Sequence, residues 1–132
     1  MEHLLNNATE ILLLLFLAIT FIQSGLDKIV DWNGNLSWLK GHFAESPLKN
    51  MVPLLLGIIL IIEMIAGLLC AIGIYQFTVS GESTLAFYGA ILACIALLML
   101  LFGQRMAKDY DGARTIAIYF IPAILLVYVL QS

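Results

Sequence analysis

Glu63 is the residue of this sequence whose type and position most clearly indicate chemistry. It is the one acidic or basic side chain in an otherwise apolar run over residues 53–77. A run of that length is typical of a transmembrane helix, and a charged side chain near the middle of such a helix is costly. At the helical rise per residue, Glu63 lies roughly 15 Å from the start of the run, near the bilayer midplane. Glu63 is therefore the leading candidate for a catalytic residue.

Uncharged hydrogen-bonding groups are predicted at the depth of Glu63, namely Thr20, Gln23 and Tyr119. Lys28 and Arg105 are predicted nearer the membrane boundary, and of the two only Arg105 is expected to approach the acid by turning inward. Because burial without a cation disfavours a charged carboxylate, we expect Glu63 to be protonated at neutral pH. A neutral acid can hold helices together by hydrogen bonds, or it can exchange protons with a ligand such as a quinone or lie on a proton path. The residues alone leave both uses open.

Other chemistry is only weakly indicated. His42 and Glu45 have a helical i,i+3 spacing, but two ligands are too few for a metal site, so no metal is expected. Cys70 and Cys94 lie in apolar runs without a CxxC motif, which is typical of buried structural thiols. We find no phosphate loop, nucleophile motif, haem motif or nucleic-acid-binding patch, and we expect no nucleic acid partner and no covalently bound cofactor.

The composition excludes a soluble globular protein. Of the 132 residues, 62% are hydrophobic and 11% are charged, which is far from the average of soluble domains. Apolar runs predict four transmembrane helices, at about residues 10–30, 53–77, 84–103 and 113–130. We predict an all-α fold, a four-transmembrane-helix bundle that forms a single membrane domain. Aromatic and charged residues between the first two spans predict a short interfacial helix, and Asn33-Gly34 predicts a turn.

Small residues on the predicted helices indicate close contact between them. Steps of three and four residues from Glu63 reach Ala66, Gly67 and Cys70, which share its helical face. Small residues on one face mark helix-to-helix contacts in membranes. Gly25 is expected to permit a similar close approach near the end of the first span. Glu63 should accordingly point into the bundle rather than toward lipid.

The distribution of basic residues predicts the orientation in the membrane. The first and third connections contain all six basic residues: Lys28, Lys40, Lys49, Arg105, Lys108 and Arg114. The second connection and both termini contain none. By the positive-inside rule, the first and third connections face the cytoplasm and both termini face outward.

Three stretches of the chain resemble the DoxX family of small four-span membrane proteins. They are "FIQSGLDKIVDW" at the end of the first span, "IIEMIAGLLCAIG" in the second, and "GQRMAKDYDGA" between the third and fourth. The resemblance covers nearly the whole chain. Matched residue by residue, the family pattern points to Gly25, Lys28, Glu63, Gly67 and Arg105. It implies membrane-bound redox chemistry, since some relatives are quinone-linked thiosulfate oxidoreductase subunits and others associate with thiol-redox partners.

The resulting hypothesis is a small subunit of a quinone-linked membrane redox complex, in a bacterial inner (cytoplasmic) membrane. Glu63 is the catalytic candidate, and quinone is the expected ligand. The candidate ligand-binding residues are Lys28, Gln23, Gly25, Gly67, Arg105 and Tyr119. The alternative is a non-catalytic structural or accessory subunit, and a transporter or channel ranks third. Whether the chain is an enzyme is left open. Expected partners are membrane lipid and either other membrane subunits or further copies of this chain.

Overall fold

The computed structural model describes residues 6–131, and within that range it contains helices and no strands. Five α-helices follow one another along the chain: α1 (Ala8–Val30), α2 (Trp32–His42), α3 (Val52–Ser80), α4 (Thr84–Met106) and α5 (Tyr110–Gln131). A short 3-10 helix, Lys49–Met51, leads into α3. The predicted all-α fold is confirmed, as is a short helix between the first two spans.

The helices α1, α3, α4 and α5 are each long and apolar enough to cross a membrane. Large apolar side chains are exposed on the outside of the bundle, for example Leu12, Leu54 and Ile121, each at least 60% exposed. Exposed apolar area of this kind is unfavourable in water and is covered by acyl chains in a bilayer. The four helices therefore fit an integral membrane protein.

The observed helices extend beyond the apolar runs that predict them. The α3 helix, predicted to end at residue 77, continues to Ser80 and ends where Gly81 adopts a positive φ of 78°. The hydroxyl groups of Thr78 and Ser80 donate to the carbonyl oxygens of Ile74 and Gln76, at 3.0 and 2.9 Å. Bonds from a hydroxyl to the preceding turn let Ser and Thr remain helical. The helix therefore continues after its apolar residues end.

The predicted turn at Asn33-Gly34 is wrong, because these residues lie in the first turn of α2. Asp31 precedes the helix, and its carboxylate accepts a hydrogen bond from the Gly34 amide at 3.3 Å. The Asn35 side chain donates to the Asp31 carbonyl oxygen at 2.8 Å. An aspartate cap supplies an acceptor for the free amides at a helix start. The same polar residues that suggested a turn therefore begin a helix.

The helices pack closely where glycine faces a neighbouring backbone. A Cβ atom added to Gly67 on α3 would lie 2.7 Å from Ile22 Cγ1 and 3.1 Å from the Ile22 amide nitrogen on α1. A Cβ atom on Gly73 would lie 2.7 Å from the Ala86 Cα atom on α4. Such contacts leave no room for a methyl group. The predicted close packing of the Glu63 face is thus present, with α3 between α1 and α4.

Candidate functional site

Glu63 lies in a small polar cluster inside the bundle. Lys28 Nζ on α1 lies 2.9 Å from Glu63 Oε1, and the two side chains are 17% and 3% exposed. The Ser24 hydroxyl donates to Glu63 Oε2 at 2.9 Å and accepts from Lys28 Nζ at 2.7 Å. Glu63, Lys28 and Ser24 are called the buried ion-pair cluster below. It joins α1 to α3 through charge as well as through close packing.

A cation therefore lies beside Glu63, and the expectation that only Arg105 can approach the acid is wrong. The premise of a protonated Glu63, that no cation reaches it, also fails, because Lys28 Nζ lies 2.9 Å from its Oε1 atom. The helical rise gives the depth of the α-carbons of Lys28 and Glu63 in the membrane, but it does not give the direction of their side chains. A side chain on a helix leans toward the N-terminus of that helix.

Because α1 and α3 are antiparallel, the side chains of Lys28 and Glu63 lean toward each other. Lys28 lies in the last turn of α1, so its side chain leans back toward the middle of the bundle. Glu63 lies well inside α3, so its side chain leans toward the start of α3, which is next to the end of α1. The long, flexible stem of lysine spans the remaining distance. The contact between Ser24 and Lys28 can be predicted from the sequence, since Ser24 precedes Lys28 by four residues and shares its helical face.

The hydrogen bonds within the cluster are unevenly distributed. Glu63 Oε2 accepts from Ser24, whereas among the described residues no donor meets the geometry of a hydrogen bond to Oε1. The 2.9 Å contact between Oε1 and Lys28 Nζ is therefore an ion pair whose heavy-atom angles lie outside those of a hydrogen bond. An ammonium has three N–H groups, and the remaining contact of Lys28, to the Ser24 carbonyl oxygen, is long at 3.5 Å. The ammonium thus keeps donor capacity beyond its two short contacts.

Lys28 also lines a pocket of about 370 Å³ at the end of the bundle where α1 ends and α3 begins. The walls come from α2 and the turn after it, the first half of α3 and the end of α4. The lining is mainly apolar and includes Trp38, Phe43, Leu56, Ile59 and Leu100. Among the described residues that line the pocket, the polar side chains are Lys28, Asn35 and Gln104. This space is called the Lys28 pocket below.

A polar contact near the Lys28 pocket connects α2 to the end of α4. His42 Nε2 lies 3.1 Å from Gln104 Oε1 and 3.3 Å from Asp109 Oδ2. The His42 ring also stacks on Trp38, with the ring centroids 4.6 Å apart. A protonated Nε2 can donate to both oxygen atoms. The predicted topology places these residues on the same side of the membrane and allows a salt-bridged network there, but their local spacing does not show which of them pair.

Four of the remaining candidate residues lie in two places near the buried ion-pair cluster. Gln23 and Tyr119 line a separate groove between α1 and α5, together with Ser24 of the ion-pair cluster. Gly25 and Gly67 are buried at the α1–α3 contact. At Gly25 an added Cβ atom would meet the flexible Met64 side chain, 2.8 Å from its Cγ atom. The glycines therefore act in helix packing, next to the cluster.

Arg105 lies apart from the buried ion-pair cluster. It is exposed at the end of α4, and its guanidinium carbon lies 5.2 Å from the centroid of the Tyr110 ring. This distance is typical of a cation–π contact. Arg105 thus contacts the start of α5 at the connection between α4 and α5, whereas Lys28 is the cation that contacts Glu63.

Metal chemistry has little support in the described part of the chain. Within residues 6–131, His, Cys, Asp and Glu side chains form no group of three that could hold a metal ion. Cys70 and Cys94 are buried, free thiols. What the site offers is one cationic hydrogen-bond donor, a carboxylate and a hydroxyl beside a largely apolar pocket.

Comparison with known proteins gives no relative, since no family model, curated protein or solved structure matches the chain. Any function is therefore argued from the pocket and its chemistry.

Proposed function

We propose that this protein is a DoxX-like small subunit of a quinone-linked membrane redox complex, and that it binds the quinone headgroup in the Lys28 pocket. The observation that carries the proposal is the donor group of Lys28 at a pocket lined mainly by apolar side chains. A quinone headgroup is a flat apolar ring with carbonyl acceptors on opposite edges. It matches a pocket with apolar walls and one strong donor.

The dimensions of the Lys28 pocket agree with this ligand class. Sites for small organic ligands usually have volumes of roughly 300–1,000 Å³ and mostly apolar walls with a few polar groups, and the volume here is about 370 Å³. Trp38 and Phe43 supply aromatic surface for the ring. Trp38 and Phe102 line the pocket and are 62% and 59% exposed, so the isoprenoid tail of a bound quinone would leave the pocket beside them.

The buried ion-pair cluster would assist reduction of a bound quinone. Conversion of a quinone to a quinol takes up two electrons and two protons, and a partner subunit carrying a flavin, haem or iron–sulfur centre would supply the electrons. A hydrogen bond from Lys28 would polarise the carbonyl oxygen and orient the ring, so that proton uptake at that oxygen accompanies electron transfer and the bound ring stays neutral. Glu63 would hold the ammonium in place through the 2.9 Å ion pair.

The orientation follows from the positive-inside prediction. The Lys28 pocket is at the end of the bundle that contains the first and third connections, which hold the six basic residues. We propose that this end faces the cytoplasm, so that quinone reduction would take its protons from the cytoplasmic side.

A pair of tryptophan substitutions tests whether quinone binds in the Lys28 pocket. Leu55 lines the pocket, whereas its neighbour Leu54 faces outward and is 60% exposed. Leu55→Trp should fill the pocket and abolish co-purification of quinone from native membrane, as quantified by extraction and chromatography. Leu54→Trp adds the same bulk on the lipid side and should retain quinone. Equal quinone content in the two variants would refute the pocket as the binding site.

A structural or accessory role is the second candidate, and the ion pair itself favours it. Lys28 and Glu63 join α1 to α3, so the cluster could serve only to hold these helices in register. A Glu63→Gln variant separates the two functions when purified from its native membrane. Intact assembly with loss of quinone-linked activity supports the redox function, whereas failed assembly supports the structural one.

A further inference from the structure

We infer that the Lys28 pocket selects uncharged hydrogen-bond acceptors and excludes anionic amphiphiles, and that Glu63 is the residue that sets this selectivity. The inference rests on the proposed function, since it concerns the ligand of the same pocket. It adds the charge class of the ligand and a specificity-determining residue.

The charge of the pocket lining determines which ligands the pocket accepts. Lys28 is the one charged side chain among the described residues that line the pocket, so by itself it would make an anion site. Its charge is already compensated by Glu63, whose Oε1 atom lies 2.9 Å from Lys28 Nζ. The two together carry no net charge. Asn35 and Gln104, the other polar lining residues, are neutral and contribute no further cation.

An anionic headgroup at Lys28 would therefore be a second negative charge beside a single cation. Charges a few ångström apart interact strongly where water is scarce, and the Glu63 side chain is only 3% exposed. Ser24 donates to the other carboxylate oxygen at 2.9 Å, which helps to keep Glu63 beside Lys28. A neutral carbonyl or similar acceptor avoids this repulsion and still receives a hydrogen bond from the ammonium.

Glu63→Gln should reverse the selectivity. Glutamine keeps nearly the same shape, and its amide oxygen can still accept the hydrogen bond from Ser24. The Lys28 ammonium then loses its counter-ion, so the pocket gains one net positive charge. We expect this variant to bind anionic amphiphiles that the wild type rejects.

The experiment compares two probes that differ mainly in charge, a long-chain alkyl sulfonate and the matching methyl sulfone. The full chain is placed in phosphatidylcholine nanodiscs, and binding is followed through the fluorescence of Trp38, which lines the pocket. Trp32, the second of the two tryptophans, is replaced by phenylalanine. Affinity is expressed as the mole fraction of probe in the bilayer at half-maximal change. Glu45→Gln, which alters an exposed carboxylate outside the pocket lining, is the matched control.

The wild type should prefer the sulfone over the sulfonate by about tenfold or more, and Glu63→Gln should raise the affinity for the sulfonate by a similar factor. Glu45→Gln should keep the wild-type ratio. Equal affinities of the wild type for both probes would overturn the inference, and this comparison holds even if the Glu63 variant fails to fold.

Two further outcomes separate the inference from the proposed function. Binding of a quinone and of the sulfone with an unchanged probe ratio in Glu63→Gln would overturn the role of Glu63 and leave quinone binding intact. Binding of neither probe nor a quinone would overturn the inference and the proposed function together.

Discussion

Replacement of Lys28 by methionine should destabilise the bundle strongly, because it leaves the Glu63 carboxylate buried without its cation. Methionine keeps most of the apolar stem of lysine, so the substitution removes charge with little loss of packing. The Glu63 side chain is 3% exposed and has Lys28 Nζ at 2.9 Å. Removal of one partner from a buried ion pair costs roughly 3–5 kcal/mol. We expect Lys28→Met to lower the free energy of unfolding by about that amount.

Replacement of the other partner, Glu63→Gln, should lower the free energy of unfolding by less than Lys28→Met does. In Glu63→Gln the orphaned ammonium can turn into the pocket that Lys28 already lines, and the new amide still accepts from Ser24. A cost of about 1–3 kcal/mol is typical when a buried hydrogen-bonding partner is lost. The double variant Lys28→Met/Glu63→Met buries no charge. It should be within about 1 kcal/mol of the wild type, since apolar replacement of a buried pair is often neutral or stabilising.

Reversible unfolding in bicelles, measured by steric trapping, of the wild type, Lys28→Met, Glu63→Met and the double variant gives the four free energies of a double-mutant cycle. The cycle should show a coupling energy between Lys28 and Glu63 of at least about 2 kcal/mol. Lys40→Met is the control, since Lys40 is exposed on α2 and its loss should change stability by less than about 0.5 kcal/mol. The reasoning is refuted if Lys28→Met costs no more than the control, or if the double variant loses the sum of the single losses.

Three further predictions concern packing, protonation and topology. Gly67→Ala should cost about 1–3 kcal/mol, because its methyl group would overlap a side chain and a backbone nitrogen of α1, whereas Gly57→Ala, whose nearest neighbour is 4.0 Å away, should be tolerated in the same unfolding assay. Infrared difference spectra of the wild type against Glu63→Gln should show carboxylate bands at neutral pH, and a protonated carbonyl band there would contradict the ion pair. Exposed sites at Glu82→Cys and Lys108→Cys should react with an impermeant maleimide from opposite sides of the membrane, the first from outside and the second from the cytoplasm; labelling from one side would disprove the predicted topology.

Apolar runs predict the number and order of the long helices because hydrocarbon forces the backbone to satisfy its own hydrogen bonds. They do not predict where a helix ends in polar surroundings. Ser80 and Thr78 extend α3 by bonding to carbonyl oxygens one turn back. Asp31 converts an apparent turn into the start of α2. Both outcomes depend on side-chain hydrogen bonds of single residues, to which hydropathy is insensitive.

At the candidate site, the sequence predicts which helical face holds Glu63 but not which side chain contacts it. Glu63 is buried on a face of small residues as its spacing predicts, because periodicity along one helix determines which side chains share a face. Its partner depends on two helices at once. Lys28 and Glu63 lean toward each other only because α1 and α3 run in opposite directions. In any antiparallel pair, a long basic side chain near the C-terminal end of one helix can reach an acid further inside the next. A depth count along α-carbons will therefore overlook ion pairs of this kind, and an apparently isolated membrane acid should be tested first against the last turn of the preceding helix.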